Sequence, residues 1–188
     1  MQKLLKENRG VTLIELVMVL AIASVIFAAI GSFLITNVQY FNKASDQAEI
    51  QRQTQRLIKD FTDLVIESSK ITAIANRSDI NVNLGSQGMN DISTVVFGLP
   101  DGAAYPSLVF EHTLSAEGEE KENQVAWEQA ASTNDQSNAA SYIKQFKLQP
   151  LPVGTSYANC KGVKVYIKAE KNRAALVIEN HVYFRNAK

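Results

Sequence analysis

Glu15 is the residue whose type and setting most call for a chemical explanation. It is the only charged side chain between Val11 and Ile35, and no other charge follows it before Lys43. A carboxylate inside an apolar helix that crosses a bilayer costs on the order of 2–3 kcal/mol on insertion scales, so Glu15 needs a partner. Few other residues invite chemistry. His112 and His181 fall in alternating, strand-like runs and read as sheet residues rather than a catalytic pair. The single cysteine, Cys160, excludes an internal disulfide and reads as a small buried apolar side chain. Asp46, Asp60, Asp63, Glu67 and Asp79 lack the alternate-residue spacing of a calcium loop. No Gly-rich phosphate loop, HExxH or GxSxG occurs. Leu151-Pro152-Val153-Gly154-Thr155 departs from a sortase signal in its last two residues, and no hydrophobic tail follows it. No enzyme activity, metal or cofactor is expected.

The element that carries Glu15 comes next. A short polar segment of ten residues, MQKLLKENRG, precedes a long apolar run from Val11 to Ile35. The 20 residues from Leu16 to Ile35 rise about 30 Å as a helix, the thickness of a bilayer's hydrocarbon core. Basic residues ahead of the span place the N-terminus on the cytoplasmic side of the membrane and the rest of the chain outside. The run is too long for a cleaved secretory signal, and its small residues Ala28, Ala29 and Gly31 fall inside it. The chain as a whole carries 19 basic and 19 acidic side chains, a balance that argues against nucleic-acid binding by phosphate neutralisation.

Past the span the pattern becomes amphipathic. Ile50, Leu57, Ile58, Phe61, Leu64 and Val65 mark one helical face up to about Ser68, with Arg56–Asp60 and Lys59–Asp63 as i,i+4 pairs on other faces. That apolar stripe needs a cover. Alternating runs supply one: Ile80 to Leu84, Thr94 to Leu99, Leu108 to Leu114 and Tyr142 to Leu148, then Val163 to Ala169 and Ala174 to Phe184 joined by a turn at Lys171-Asn172. Asp101-Gly102 marks a turn between two of them. Ser115 to Ser141 reads as a solvated polar loop; within it, Trp127 either pins the loop to the sheet or anchors a neighbouring subunit. The expected fold is therefore α+β, a long N-terminal helix on an antiparallel sheet.

The string RGVTLIELVMVLAI resembles the N-terminal motif of type IV prepilins and of the pseudopilins of type II secretion. The resemblance implies a pilin fold, and cleavage by a prepilin peptidase after Gly10 with N-methylation of the new first residue, Val11. It implies an assembly role for Glu15, five residues past the cut, pairing with the N-terminus of a neighbour. The family usually has Phe or Met where this chain has Val11. It also implies three segments: a leader over 1–10, a transmembrane and filament-core half over 11–35, and an extracytoplasmic head over 36–188. The segment SDQAEIQRQTQRLIKDF, the strands YIKQFKL and VKVYIKAE, and the ending VYFRNAK with Arg185-Asn186 are similar to the minor pilins and pseudopilins of the J/W kind, which form filament tips. Major pilins commonly carry a helix-breaking proline in the second half of the span, whereas this segment has only Gly31-Ser32, a softer kink site. The implied partners are the prepilin peptidase, other major and minor pilins or pseudopilins, membrane lipid before assembly and, indirectly, the assembly platform protein and its ATPase. The implied location is the cytoplasmic membrane and then an extracytoplasmic filament. A membrane-anchored extracytoplasmic binding domain that never joins a filament is the alternative.

Overall fold

A computed structural model describes residues 11–76, 83–115, 123–129 and 138–187. The chain divides into two compact units at the Asn42–Lys43 junction. One helix, α1 (Leu13–Val65, 53 residues), starts in the first unit and ends in the second.

In the first unit α1 is apolar on every side. Its large side chains lie open, and the most apolar window of the helix has none of its residues buried within the protein. By length and composition this is a helix able to cross a membrane. The polar side chains in it bond back to their own backbone: Ser24 Oγ donates to the Ala21 carbonyl at 2.7 Å, Ser32 Oγ to Ala28 at 3.0 Å, Thr36 Oγ1 to Ser32 at 2.9 Å and Asn37 Nδ2 to Phe33 at 2.9 Å. A polar group satisfied this way is compatible with hydrocarbon.

In the second unit α1 turns one stripe inward. Ile50, Thr54, Leu57, Phe61 and Val65 are buried, at the spacing of one helical face. Thr54 fills the gap that apolar periodicity leaves between Ile50 and Leu57, and its hydroxyl donates to the Ile50 carbonyl at 2.7 Å, so its burial leaves no unmade bond. The stripe packs on eight strands: β1 (Lys70–Asn76), β2 (Asn90–Gly98), β3 (Ser107–Thr113), β4 (Gln124–Gln129), β5 (Asn138–Ala140), β6 (Ile143–Leu151), β7 (Gly162–Lys171) and β8 (Ala174–Tyr183). They pair antiparallel in the order β5-β4-β3-β2-β6-β7-β8, with β1 also on β2. Strand β2 thus joins the two halves of the sheet. Residues Thr94–Gly98 pair with β3, and Asn90 and Asp91 pair with β6. The α+β arrangement of a long helix on an antiparallel sheet is the one expected.

Several local expectations need correction. The stretch 115–141 is not a loop throughout: Gln124–Gln129 and Asn138–Ala140 are strands. Val125 and Trp127 alternate toward the core from β4, a two-residue signal masked by polar neighbours. Residues 116–122 and 130–137 lie outside the described residues. Of the strand expected at Ile80–Leu84, residues Ile80 to Val82 also lie outside them, and Leu84 sits in a turn. Strand β1 carries no alternating signal in the sequence, because register shifts against β2 break its alternation after Ile71 and again after Ala75. The last hairpin is present, but its loop is Asn172-Arg173, one residue later than expected, since Lys171 pairs with Ala174. Asn172 takes the left-handed conformation there (φ 50°), which asparagine tolerates better than most residues.

Candidate functional site

Gly10 lies outside the described residues, and Val11, the first of them, is exposed. The first helical hydrogen bond of α1 runs from Leu16 N to the Thr12 carbonyl at 3.1 Å, which makes Thr12 the N-cap. Around it the side chains reciprocate. Glu15 N donates to Thr12 Oγ1, while Thr12 N and Thr12 Oγ1 both donate to Glu15 Oε2, each at 3.4 Å. These distances are at the long end for hydrogen bonds, but the pattern is that of a capping box, Thr-x-x-Glu.

Chemically, the arrangement sets a carboxylate in the first turn of a helix, where unpaired amides and the helix dipole favour negative charge. The same Oε2 atom could accept a charged amine only by sharing or giving up the Thr12 contacts. Thr12 is the site residue that the sequence reading missed. The signal was present as a Thr three positions before a Glu at the head of an apolar run.

Elsewhere the candidate residues do not converge on a catalytic centre. His112 is buried in β3 and its Nε2 donates to the Ile143 carbonyl at 2.8 Å, whereas His181 is exposed on β8, a strand that does not pair with β3. Cys160 is buried, its Sγ contacts the Tyr157 carbonyl at 3.2 Å, and burial pushes its thiol pKa up to about 11. Trp127 is not a surface anchor. It is buried and stacks on Phe110 at 6.2 Å, and the Arg56 guanidinium lies 5.8 Å from its ring centroid. Among the described residues no group of three or more His, Cys, Asp or Glu could hold a metal ion.

Of the acids, Asp46 meets Lys171 Nζ at 3.1 Å and Asn172 Nδ2 at 2.8 Å, and Asp60 lies 4.0 Å from Arg56. Arg185 N donates to the Ile66 carbonyl at 2.8 Å and Asn186 Nδ2 to the Glu67 carbonyl at 2.7 Å, so the Arg-Asn pair near the chain's end closes the C-terminus of α1. A half-open cavity of about 440 Å³ lies beside that closure, with Leu64, Leu99, Tyr105, Leu108, Glu67 and Arg185 among its walls.

Residues 5–31 match the family model described as the prokaryotic N-terminal methylation motif. No curated protein matches the chain. No solved structure matches it either. The matched segment contains Gly10, Val11 and the Thr12–Glu15 capping box, and it continues into the apolar helix to Gly31. The N-terminal segment of the chain therefore carries a prokaryotic N-terminal methylation motif.

Proposed function

We propose that the protein is a structural pilin or pseudopilin subunit of the minor, J/W-like kind. A prepilin peptidase cleaves it after Gly10 and methylates Val11. The subunit waits in the cytoplasmic membrane with its N-terminus inside and its head (residues 36–188) outside. It then joins the tip or body of a type IV pilus, a secretion pseudopilus or a DNA-uptake pilus with other pilins, driven indirectly by an assembly platform protein and its ATPase.

One observation carries the reading. The methylation motif is matched over residues 5–31, and within that span Glu15 follows Gly10 by five residues, at the head of an apolar helix with no further charge until Lys43. The chemistry is consistent. Cleavage creates an ammonium at Val11, and methylation leaves it cationic. Each subunit then offers one buried-type cation and one anion a helical turn apart, and such pairs give register more reliably than stability. The apolar helix suits lipid and sister helices alike, so one surface serves as anchor and as filament core.

The test is the intact mass and N-terminal peptide mass of protein from its native host. The expected product begins at Val11 and carries one added methyl. A chain still beginning at Met1 in cells with active prepilin peptidase overturns the reading. A second arm separates filament subunit from plain anchor. Glu15→Leu leaves membrane anchoring intact under both readings, and it abolishes incorporation only if Glu15 sets assembly.

A further inference from the structure

The far end of the charge-free segment differs in kind from its middle. Up to Asn37 every polar side chain with a resolved bond is satisfied by its own helix, as Ser24, Ser32, Thr36 and Asn37 show. Beyond it the sequence changes to Gln39, Tyr40, Phe41 and Asn42, followed by Lys43, the first charge after Glu15. Tyr40 and Phe41 are among the most open large side chains of the first unit, at 69% and 74% exposure. Being consecutive, they point about 100° apart around the helix and form a broad foot rather than one side of a stripe. An aromatic pair, one member carrying a phenol, flanked by amides and followed by a lysine, suits the boundary between acyl chains and headgroups. The rings bury, the hydroxyl stays wet and the ammonium reaches the phosphates.

We propose that Tyr40 and Phe41 anchor α1 at the outer headgroup boundary of the membrane and that this anchor sets the depth of Glu15. The inference rests on the membrane reading above and deepens it. Glu15 and Tyr40 are 25 residues apart, or about 37 Å along a helix, against about 30 Å of hydrocarbon. A typical tilt of about 20° shortens that to roughly 35 Å, still longer than the core. With Tyr40 at the outer boundary, Glu15 lies in the inner headgroup layer. Its carboxylate is then hydrated in the resting subunit and held by Thr12, and it loses water only when the helix leaves the lipid. The partner recognised by Tyr40, Phe41 and Lys43 is an anionic lipid interface.

The experiment is fluorescence quenching by brominated phosphatidylcholine, with the full chain reconstituted in vesicles that also contain phosphatidylglycerol. The parent carries one tryptophan, Trp127, buried in the head, and its emission serves as the unquenched reference. Leu16→Trp, Ile26→Trp and Tyr40→Trp each add one reporter. The expected result is loss of the added emission to deep bromines for Ile26→Trp and to shallow bromines for Leu16→Trp and Tyr40→Trp. If Ile26→Trp is quenched while Tyr40→Trp is untouched by every lipid, the aromatic pair faces water or protein and the anchor is overturned. If Leu16→Trp is quenched by deep bromines, the proposed depth of Glu15 is overturned. If Ile26→Trp is not quenched at all, the membrane reading itself fails and the anchor with it.

Discussion

The rings of Phe61 on α1 and Phe110 on β3 lie 4.9 Å apart, centroid to centroid, and are inclined by 57°. Phe61 also meets Phe97 of β2 at 5.9 Å and Phe146 of β6 at 6.0 Å, both nearly edge-on. One helical side chain therefore contacts the three strands through which the two halves of the sheet are joined. Edge-to-face and tilted pairs at this range add about 0.5–1.5 kcal/mol each beyond area burial.

Phe61→Ala is accordingly expected to destabilise the head by about 3–5 kcal/mol, the usual loss for an aromatic ring deleted from a packed core. Thermal unfolding followed by near-ultraviolet circular dichroism checks it, with Ile58→Ala, a half-buried neighbour, as the milder comparison. A Phe61→Ala transition within a degree of the parent's would show that the three strands are held together by something else.

Stability should fall on the acid side. The Asn172 amide, then the Lys171 ammonium, hold the Asp46 carboxyl below its ordinary value of 3.8. Arg52 and Gln53 do the same for Glu49, and Lys144 and Lys168 for Glu170. A carboxyl whose pKa is lower folded than unfolded stabilises the fold above its unfolded value and loses that contribution as pH drops through the folded one. The melting temperature should thus be level between about pH 5 and pH 8 and decline below the ordinary carboxyl range. These groups are half-buried at the surface and still reached by solvent ions, so the slope should weaken in high salt. Asp46→Asn should flatten part of the decline, and an unchanged pH profile in that variant would remove Asp46 from the account.

Cys160 should be inert in the folded protein. Its thiol is buried with a pKa raised to about 11, against 9.0 for a free thiol, so almost none is thiolate at neutral pH. Labelling with an aromatic disulfide reagent should give no adduct in native buffer and one adduct per chain in denaturant. Because the raised value favours the folded state only below the unfolded pKa, stability should also fall as pH climbs from about 9 toward 11. Tyr157, pushed up to about 12 by burial, acts in the same sense at slightly higher pH.

Removing the N-cap should loosen the first turn of α1. Thr12→Ala deletes the hydroxyl that accepts from Glu15 N and donates to Glu15 Oε2, and a lost cap of this kind costs about 0.5–2 kcal/mol. Amide hydrogen exchange at Glu15 in detergent-solubilised protein should accelerate in Thr12→Ala and recover in Thr12→Ser. Equal exchange in all three would mean the capping box contributes nothing in solution.

What the sequence revealed follows from how many residues each signal had to repeat itself. Strands β7 and β8 run ten residues each in unbroken register, so Val163, Val165, Ile167 and Ala169 spell out their face several times over. The stripe of α1 in the head was equally plain except at Thr54, whose burial depends on a bond to its own helix that no hydropathy pattern shows. Strand β4 offers only Val125 and Trp127, and it is a strand because β3 lies beside it with six paired residues. At the candidate site, Glu15 stood out because it interrupts an apolar run. Thr12 did not, because a threonine at a helix start looks ordinary until its hydroxyl is seen facing the carboxylate.

The closure of α1 by Arg185 and Asn186 has a consequence for how the chain is made. The carbonyls of Ile66 and Glu67 wait for residues more than a hundred positions later, and Thr62 waits likewise for Asn180 Nδ2, at 3.0 Å. The helix emerges from the ribosome well before the strand and tail that complete its surroundings. Until then its inner stripe lacks β8 and its end lacks a cap. Pairings of such long sequence separation form slowly. The surroundings of α1 are consequently completed only once residues 180–186 have been made, and a head lacking them leaves the end of its long helix uncapped.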